Sequence, residues 1–196
     1  GNRPLWHYIQ STTKKNLRDI TDYQMKFMAY CPLAYGAKGA LYYTYESIPS
    51  NYGLNYHDAI INPHGNVTKK YYLTKIINYY MSYIAGPIIM SNSCVGTYHV
   101  SQEPTNEKIP ARQILSSTNK YVKSISNKNI LVGIFKNKAS NNYFLMLINE
   151  SSSDLQKIKI SLPKTKSIMA YPNSYNYRGS VEQHELKTTQ NKMLWK

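Results

Sequence analysis

Cysteine, arginine and acidic side chains are all scarce in this chain, and each shortage narrows what it can be. The two cysteines among 196 residues, Cys31 and Cys94, lie far apart with no CxxC neighbour, which argues for neither a zinc site nor a disulfide framework. Cys31 falls in an expected helix, where a small buried hydrophobe is the plain reading. The ten Asp and Glu stand against 24 Lys and Arg, giving a formal charge of +14. Such an excess invites a nucleic-acid partner, because clustered cations that neutralise phosphates supply most non-specific affinity. The clustering is missing: the lysines come singly or in pairs such as Lys14-Lys15 and Lys69-Lys70, and arginine occurs only at positions 3, 18, 112 and 178. No nucleic-acid partner is expected. Long apolar runs are lacking too, since the stretch from Met81 to Met90 is broken by Ser82, Gly86 and Pro87 and falls short of the ~20 residues a bilayer span needs. No charged segment followed by an apolar one opens the chain, so no secretory signal is visible in it.

What is abundant is tyrosine, 20 residues of it, within a composition that is 42% hydrophobic and only 17% charged. That apolar content supports a packed core and excludes both a collagen-like repeat and a chain disordered throughout.

The aromatic and β-branched run from Pro4 to Ser11 predicts a strand. Thr21 and Gln24 have capping-box spacing ahead of an apolar helix face that reaches Ala34 and Tyr35, with Pro32 as a kink and Gly36 as the stop. The run Gly39 to Glu46 is apolar or aromatic at both parities, as in a strand covered on both faces of a parallel sheet. A loop rich in Pro and Gly follows to Asn66. Thr68 then caps a helix with the stripe Leu73, Ile76, Ile77, Tyr80 and Ile84, expected to end at Gly86-Pro87. The polar segment 91–129 reads as a connection, or as a loosely attached first strand of the next unit. Beyond it, strands at Ile130–Phe135, Tyr143–Asn149 and Leu155–Leu162 form an antiparallel meander, and the tail to Trp195 supplies two or three more short strands. The economical reading of the second half is a small antiparallel β-sandwich.

Two parallel strands cannot close a sheet alone. The string WHYIQS, a helix ending LAYGAKGALYYTY, then DAIINPHGNVTKKYY and a helix ending in Gly-Pro together resemble the seventh and eighth β/α units of retaining glycoside hydrolases related to the family 42 β-galactosidases, with their C-terminal β-domain behind. The resemblance covers residues 4 to 90, and the region from Ile130 onward in architecture alone; its most specific piece is Leu33 to Tyr45. It implies a fold that is α/β followed by all-β: a partial (β/α)8 barrel at 1–90, a connection at 91–129 and a β-sandwich at 130–196. It implies a carbohydrate substrate, hydrolysis of O-glycosidic bonds, no cofactor and no metal, an upstream barrel half of the same protein as partner, and a secreted, periplasmic or cell-surface location.

Barrel active sites lie at the C-terminal strand ends, here Gln10-Ser11 and Tyr45-Glu46. Retaining glycosidases place two carboxylates about 5 to 5.5 Å apart, one nucleophile and one acid/base. In the resembled family the nucleophile is a Glu ending the seventh strand, a position that falls on Gln10, and the acid/base comes from the fourth strand, which this chain does not contain. A neutral amide cannot form the glycosyl ester. Either the registration is displaced by a strand, or Glu46 has taken the carboxylate role, or the barrel binds sugar without cleaving it. Trp6, Tyr8, Tyr43 and Tyr45 are candidates to stack on a sugar ring, the alternative for each being a place in the core. His57, in the loop after the eighth strand, is a candidate substrate contact, as are loop residues generally, and solvation is its alternative. A non-catalytic carbohydrate-binding module or degenerate barrel is the second functional reading.

Overall fold

The order strand, helix, strand in the first ninety residues follows from local chemistry, and a computed structural model shows how it is realised. It describes residues 3–14, 18–48, 56–100, 119–126, 129–137, 139–151, 158–163, 169–170, 184–185 and 192–194. The chain divides into two compact units, Gly1–Ser91 and Asn92–Lys196.

In the first unit, β1 (Trp6–Gln10) and β2 (Gly39–Tyr43) pair in parallel, with Trp6 opposite Gly39, Tyr8 opposite Leu41 and Gln10 opposite Tyr43. The crossover between them is α1 (Asp22–Ala34), opened by the expected capping box: the Thr21 hydroxyl accepts from the Gln24 N–H, and the Gln24 side chain accepts from the Thr21 N–H. Pro32 lies in its last turn, and Gly36 leaves the helix at φ 87°, a left-handed conformation in which a Cβ is strained. Ile9 and the α1 residues Met25, Ala29 and Leu33 are buried, and with Leu73 and Ile77 of α2 (Lys69–Tyr80) they make up much of the apolar interior of this unit. Thr68 caps α2 by accepting from the Lys70 N–H.

The helical run does not stop at Gly86-Pro87 as the sequence predicts. A π-type turn, Met81–Ala85, leads directly into α3 (Gly86–Ser91). The Gly86 N–H reaches back to the Met81 carbonyl, and Pro87, which has no N–H to satisfy, enters at the first turn of the new segment, where proline is tolerated. A Cβ on Gly86 would run into that carbonyl oxygen. Gly86→Ala is therefore expected to destabilise the first unit by about 1–3 kcal/mol, against the usual benefit of alanine in a helix, read as a lower urea midpoint.

In the second unit, Asn92–Val100 forms β3, antiparallel to β5 (Ile130–Asn137), which in turn pairs with β6 (Tyr143–Asn149). The stretch 92–100, for which the sequence offers a connection or a loosely attached first strand, is an edge strand of this sheet, with a register shift between Cys94 and Gly96. Asn137 shapes the β5–β6 turn, its side-chain oxygen accepting from the Ala139 and Ser140 N–H groups. A second sheet has the order β10 (Lys192–Leu194), β7 (Lys159–Ser161), β4 (Ser124–Ile125). β7 therefore leaves the expected meander: among the described residues its partners are β4 and β10, not β6. Burial explains the departure, because Ile160 of β7 packs into one cluster with Val122 and with Ile130, Val132 and Ile134 from one face of β5. A last pair joins β8 (Met169–Ala170) to β9 (His184–Glu185). His99 of β3 and Glu150, just past β6, meet at 3.0 Å in a partly buried pair.

Candidate functional site

The two strands of the first unit present very different faces. On the inner face Ile9 is fully buried and His7 partly so, while on the outer face Trp6 is 57% exposed and Tyr8 69%, joined across the register by Leu41 and Tyr43. Period-two alternation puts these four on one side of the sheet. The sequence expectation that β2 is covered on both faces is not met among the described residues: Trp6, Tyr8 and Leu41 are exposed, and Tyr56 packs against the row at Tyr43. Trp6 lies flat on β2, since a Cβ on Gly39 would sit 2.5 Å from Trp6 Cδ2. One face of the indole rests on the glycine backbone, which leaves the other to solvent. Gly39 thus makes room for a cross-strand indole.

At the C-terminal ends of the strands, buried hydroxyls pin the loops. Ser11 donates to the Thr44 carbonyl at 2.7 Å and Thr12 to the His57 carbonyl at 2.9 Å. Thr13 and His57 exchange both backbone hydrogen bonds. This bridge brings Tyr56, from the loop after β2, over the end of the sheet, where its hydroxyl lies 2.9 Å from that of Tyr43 and Lys14 Nζ stands 5.0 Å from its ring centroid. The bond from Tyr43, and after it Lys14, hold the Tyr56 phenol below its ordinary value, while the same bond pushes Tyr43 up.

Gln10 stands in the outer row opposite Tyr43, but its amide nitrogen is committed, donating to the carbonyls of Thr12 and Arg18 at 3.0 Å each. Glu46 and Tyr45 are exposed beyond the end of β2, and Glu46 joins Ile61 through a backbone bridge. His57 is exposed, its Nδ1 lying 2.7 Å from Asp58. Asp19 is a structural carboxylate: burial works to raise its pKa, yet Lys70 and Thr13 together hold it below the ordinary value. The site predicted from sequence is therefore brought together in part: Trp6, Tyr8, Gln10 and Tyr43 share one face, and Tyr45, Glu46 and His57 lie on the segments past its end. Leu41, Tyr56 and Lys14 were not anticipated. Leu41 was legible from parity; the other two depend on a loop closure that leaves no local signal.

Among the described residues no group of three or more His, Cys, Asp or Glu is placed to hold a metal ion, and no helix is long and apolar enough to cross a membrane. Comparison with protein-family models, with curated proteins and with solved structures finds no match to this chain.

On the inner face, neither ring nitrogen of His7 has a hydrogen-bond partner of good geometry. Desolvation pulls its pKa below the ordinary 6.5, offset in part by nearby backbone carbonyls of Gly39, Ala29 and Met28. The unfolded chain takes up this proton near pH 6.5 and the folded chain only at lower pH, so the unfolded state binds more protons as the pH falls. The His7 contribution is fully favourable above that value and declines below it. Melting temperatures are expected to drop between about pH 7.5 and 5, with a shallower drop in His7→Phe.

Proposed function

We propose that this chain forms the last two β/α units and the following β-domain of a glycoside-hydrolase-like barrel protein, and that the outer face of β1 and β2 lines its carbohydrate-binding cleft. The observation that carries the reading is the open row Trp6, Tyr8, Leu41 and Tyr43 on a two-stranded parallel sheet. Parallel sheets are ordinarily covered on both faces, so an aromatic row left open on one is available to a ligand. An indole with one face on glycine backbone and the other open is a platform for the apolar C–H face of a sugar ring. In this reading the β-rich second unit is a sandwich appended to the barrel, and the protein is exported.

Hydrolysis depends on where the carboxylates come from. Glu46 is the carboxylate this chain offers beside the strand ends, and a retaining mechanism requires a second one about 5 to 5.5 Å away, contributed by an earlier barrel strand. The committed amide of Gln10 favours the second reading, a barrel that binds sugar without the usual glycosyl-ester chemistry.

The test is titration of the intact polypeptide with neutral oligosaccharides (xylo-, cello- and galacto-oligosaccharides), followed by tryptophan fluorescence and by release of reducing ends. Saturable quenching that is absent in Trp6→Phe supports the cleft. Saturation without release of reducing ends selects the non-catalytic reading, and no response to any of the three overturns the proposal.

A further inference from the structure

Beyond the aromatic row lies a group of donors that stacking on a neutral sugar leaves unused. We infer that Lys14 and Tyr43, held together by Tyr56, form a subsite for the anionic substituent, carboxylate or sulfate, of an acidic saccharide bound along the aromatic face. This inference rests on the carbohydrate reading above and assigns that site its substrate class.

Hydrogen counting gives the direction of the site. A lysine ammonium only donates, and Lys14 Nζ stands 5.0 Å from the Tyr56 ring centroid. Two phenols share one short O···O contact at 2.9 Å, so one of the two hydroxyl hydrogens must point out of it. Tyr56 is buried, whereas Tyr43 is exposed on the sheet face. Whichever phenol donates within the pair, the hydrogen of the other is left to donate outside it. The group therefore presents donors: one phenol O–H of the pair and the ammonium hydrogens of Lys14. Its complement is an acceptor-only group carrying negative charge, for which charge-assisted hydrogen bonds are about twice as strong as neutral ones.

Position and charge point the same way. Tyr43 occupies the same row as Leu41 and stands opposite Gln10, four residues along β2 from the Gly39 under Trp6, so the donors lie about 13 Å along the row from the indole. The acidic residues on the adjoining segments do not neutralise them, since Asp58 is turned to His57 and Asp19 to Thr13 and Lys70, and Glu46 lies exposed past the strand end. The whole chain carries +14, which attracts acidic polymers at long range while the local donors supply the selection.

The experiment compares matched probes on the intact polypeptide at about 150 mM salt, where long-range attraction between exposed charges is screened. The probes are tri-galacturonate against its methyl ester, and sulfated galactotriose against galactotriose. The expected result is about a tenfold tighter Kd for at least one charged member of a pair, removed in Lys14→Gln and reduced about threefold in Tyr43→Phe, with the ester and galactotriose bound as before. Lys69→Gln, on the exposed start of α2, is the charge-matched control and is expected to retain the preference. Equal binding within both pairs overturns the subsite while leaving the cleft standing. A preference that survives Lys14→Gln and Tyr43→Phe also overturns it, by assigning the effect to general surface charge. Binding of none of the four probes overturns the cleft together with the subsite.

Discussion

Replacing Ile9 with Ala is expected to cost about 2–4 kcal/mol of stability in the first unit, whereas Tyr8→Ala, one residue away, is expected to cost less than about 0.5 kcal/mol. Ile9 is 0% exposed on the helix-facing side of β1, so truncation leaves a cavity in a core that α1 and α2 close around. Tyr8 is 69% exposed and its ring meets solvent. Urea unfolding monitored by far-UV circular dichroism checks both. The asymmetry carries the functional argument as well. A chain under pressure only to fold has little reason to place a large aromatic on the open side of a strand, and the exposed row is then free to serve binding. Comparable losses for the two variants would mean that the row is covered in the protein as it exists in solution, and the cleft would have to be abandoned.

Much of this architecture was legible because the signals are local. Thr21 and Gln24 announce α1 through hydrogen bonds spanning one turn, and the aromatic runs 6–10 and 39–43 announce their strands. Openness of one face was not legible. Aromatics at both parities read alike whether a second layer covers them or solvent does. The helix past Tyr80 was misread for a specific reason: Gly-Pro is a stop signal in a regular α-helix, but the wider π-type turn ahead of it lets the chain take Pro87 into a new first turn. β3 was legible only as the alternative to a connection, because its register shift between Cys94 and Gly96 breaks the alternation by which a strand is recognised. The Lys14–Tyr56–Tyr43 group had no sequence signal, because the backbone bridge between Thr13 and His57 that assembles it joins segments on opposite sides of a helix and a strand.

Trp6→Ala is expected to weaken neutral-oligosaccharide binding by about ten- to a hundredfold, the range for losing a central aromatic anchor, with little change in stability because the indole is 57% exposed. Loss of affinity alone does not distinguish a stacking platform from a residue that merely shapes its surroundings, and Gly39 separates the two. A Cβ at that position meets Cδ2, Cε2 and Cε3 of Trp6 at 2.5 to 2.7 Å. Gly39→Ala therefore keeps the indole but lifts it from the sheet. If the flat orientation is what binds, this variant should lose affinity by a comparable factor while its tryptophan emission reports a changed environment, and Trp6→Ala with Gly39→Ala should be no weaker than Trp6→Ala alone. Fluorescence and isothermal titration on the three variants measure this non-additivity. Full additivity would assign the two positions separate effects and remove the platform from the account, even with the affinity loss in Trp6→Ala intact.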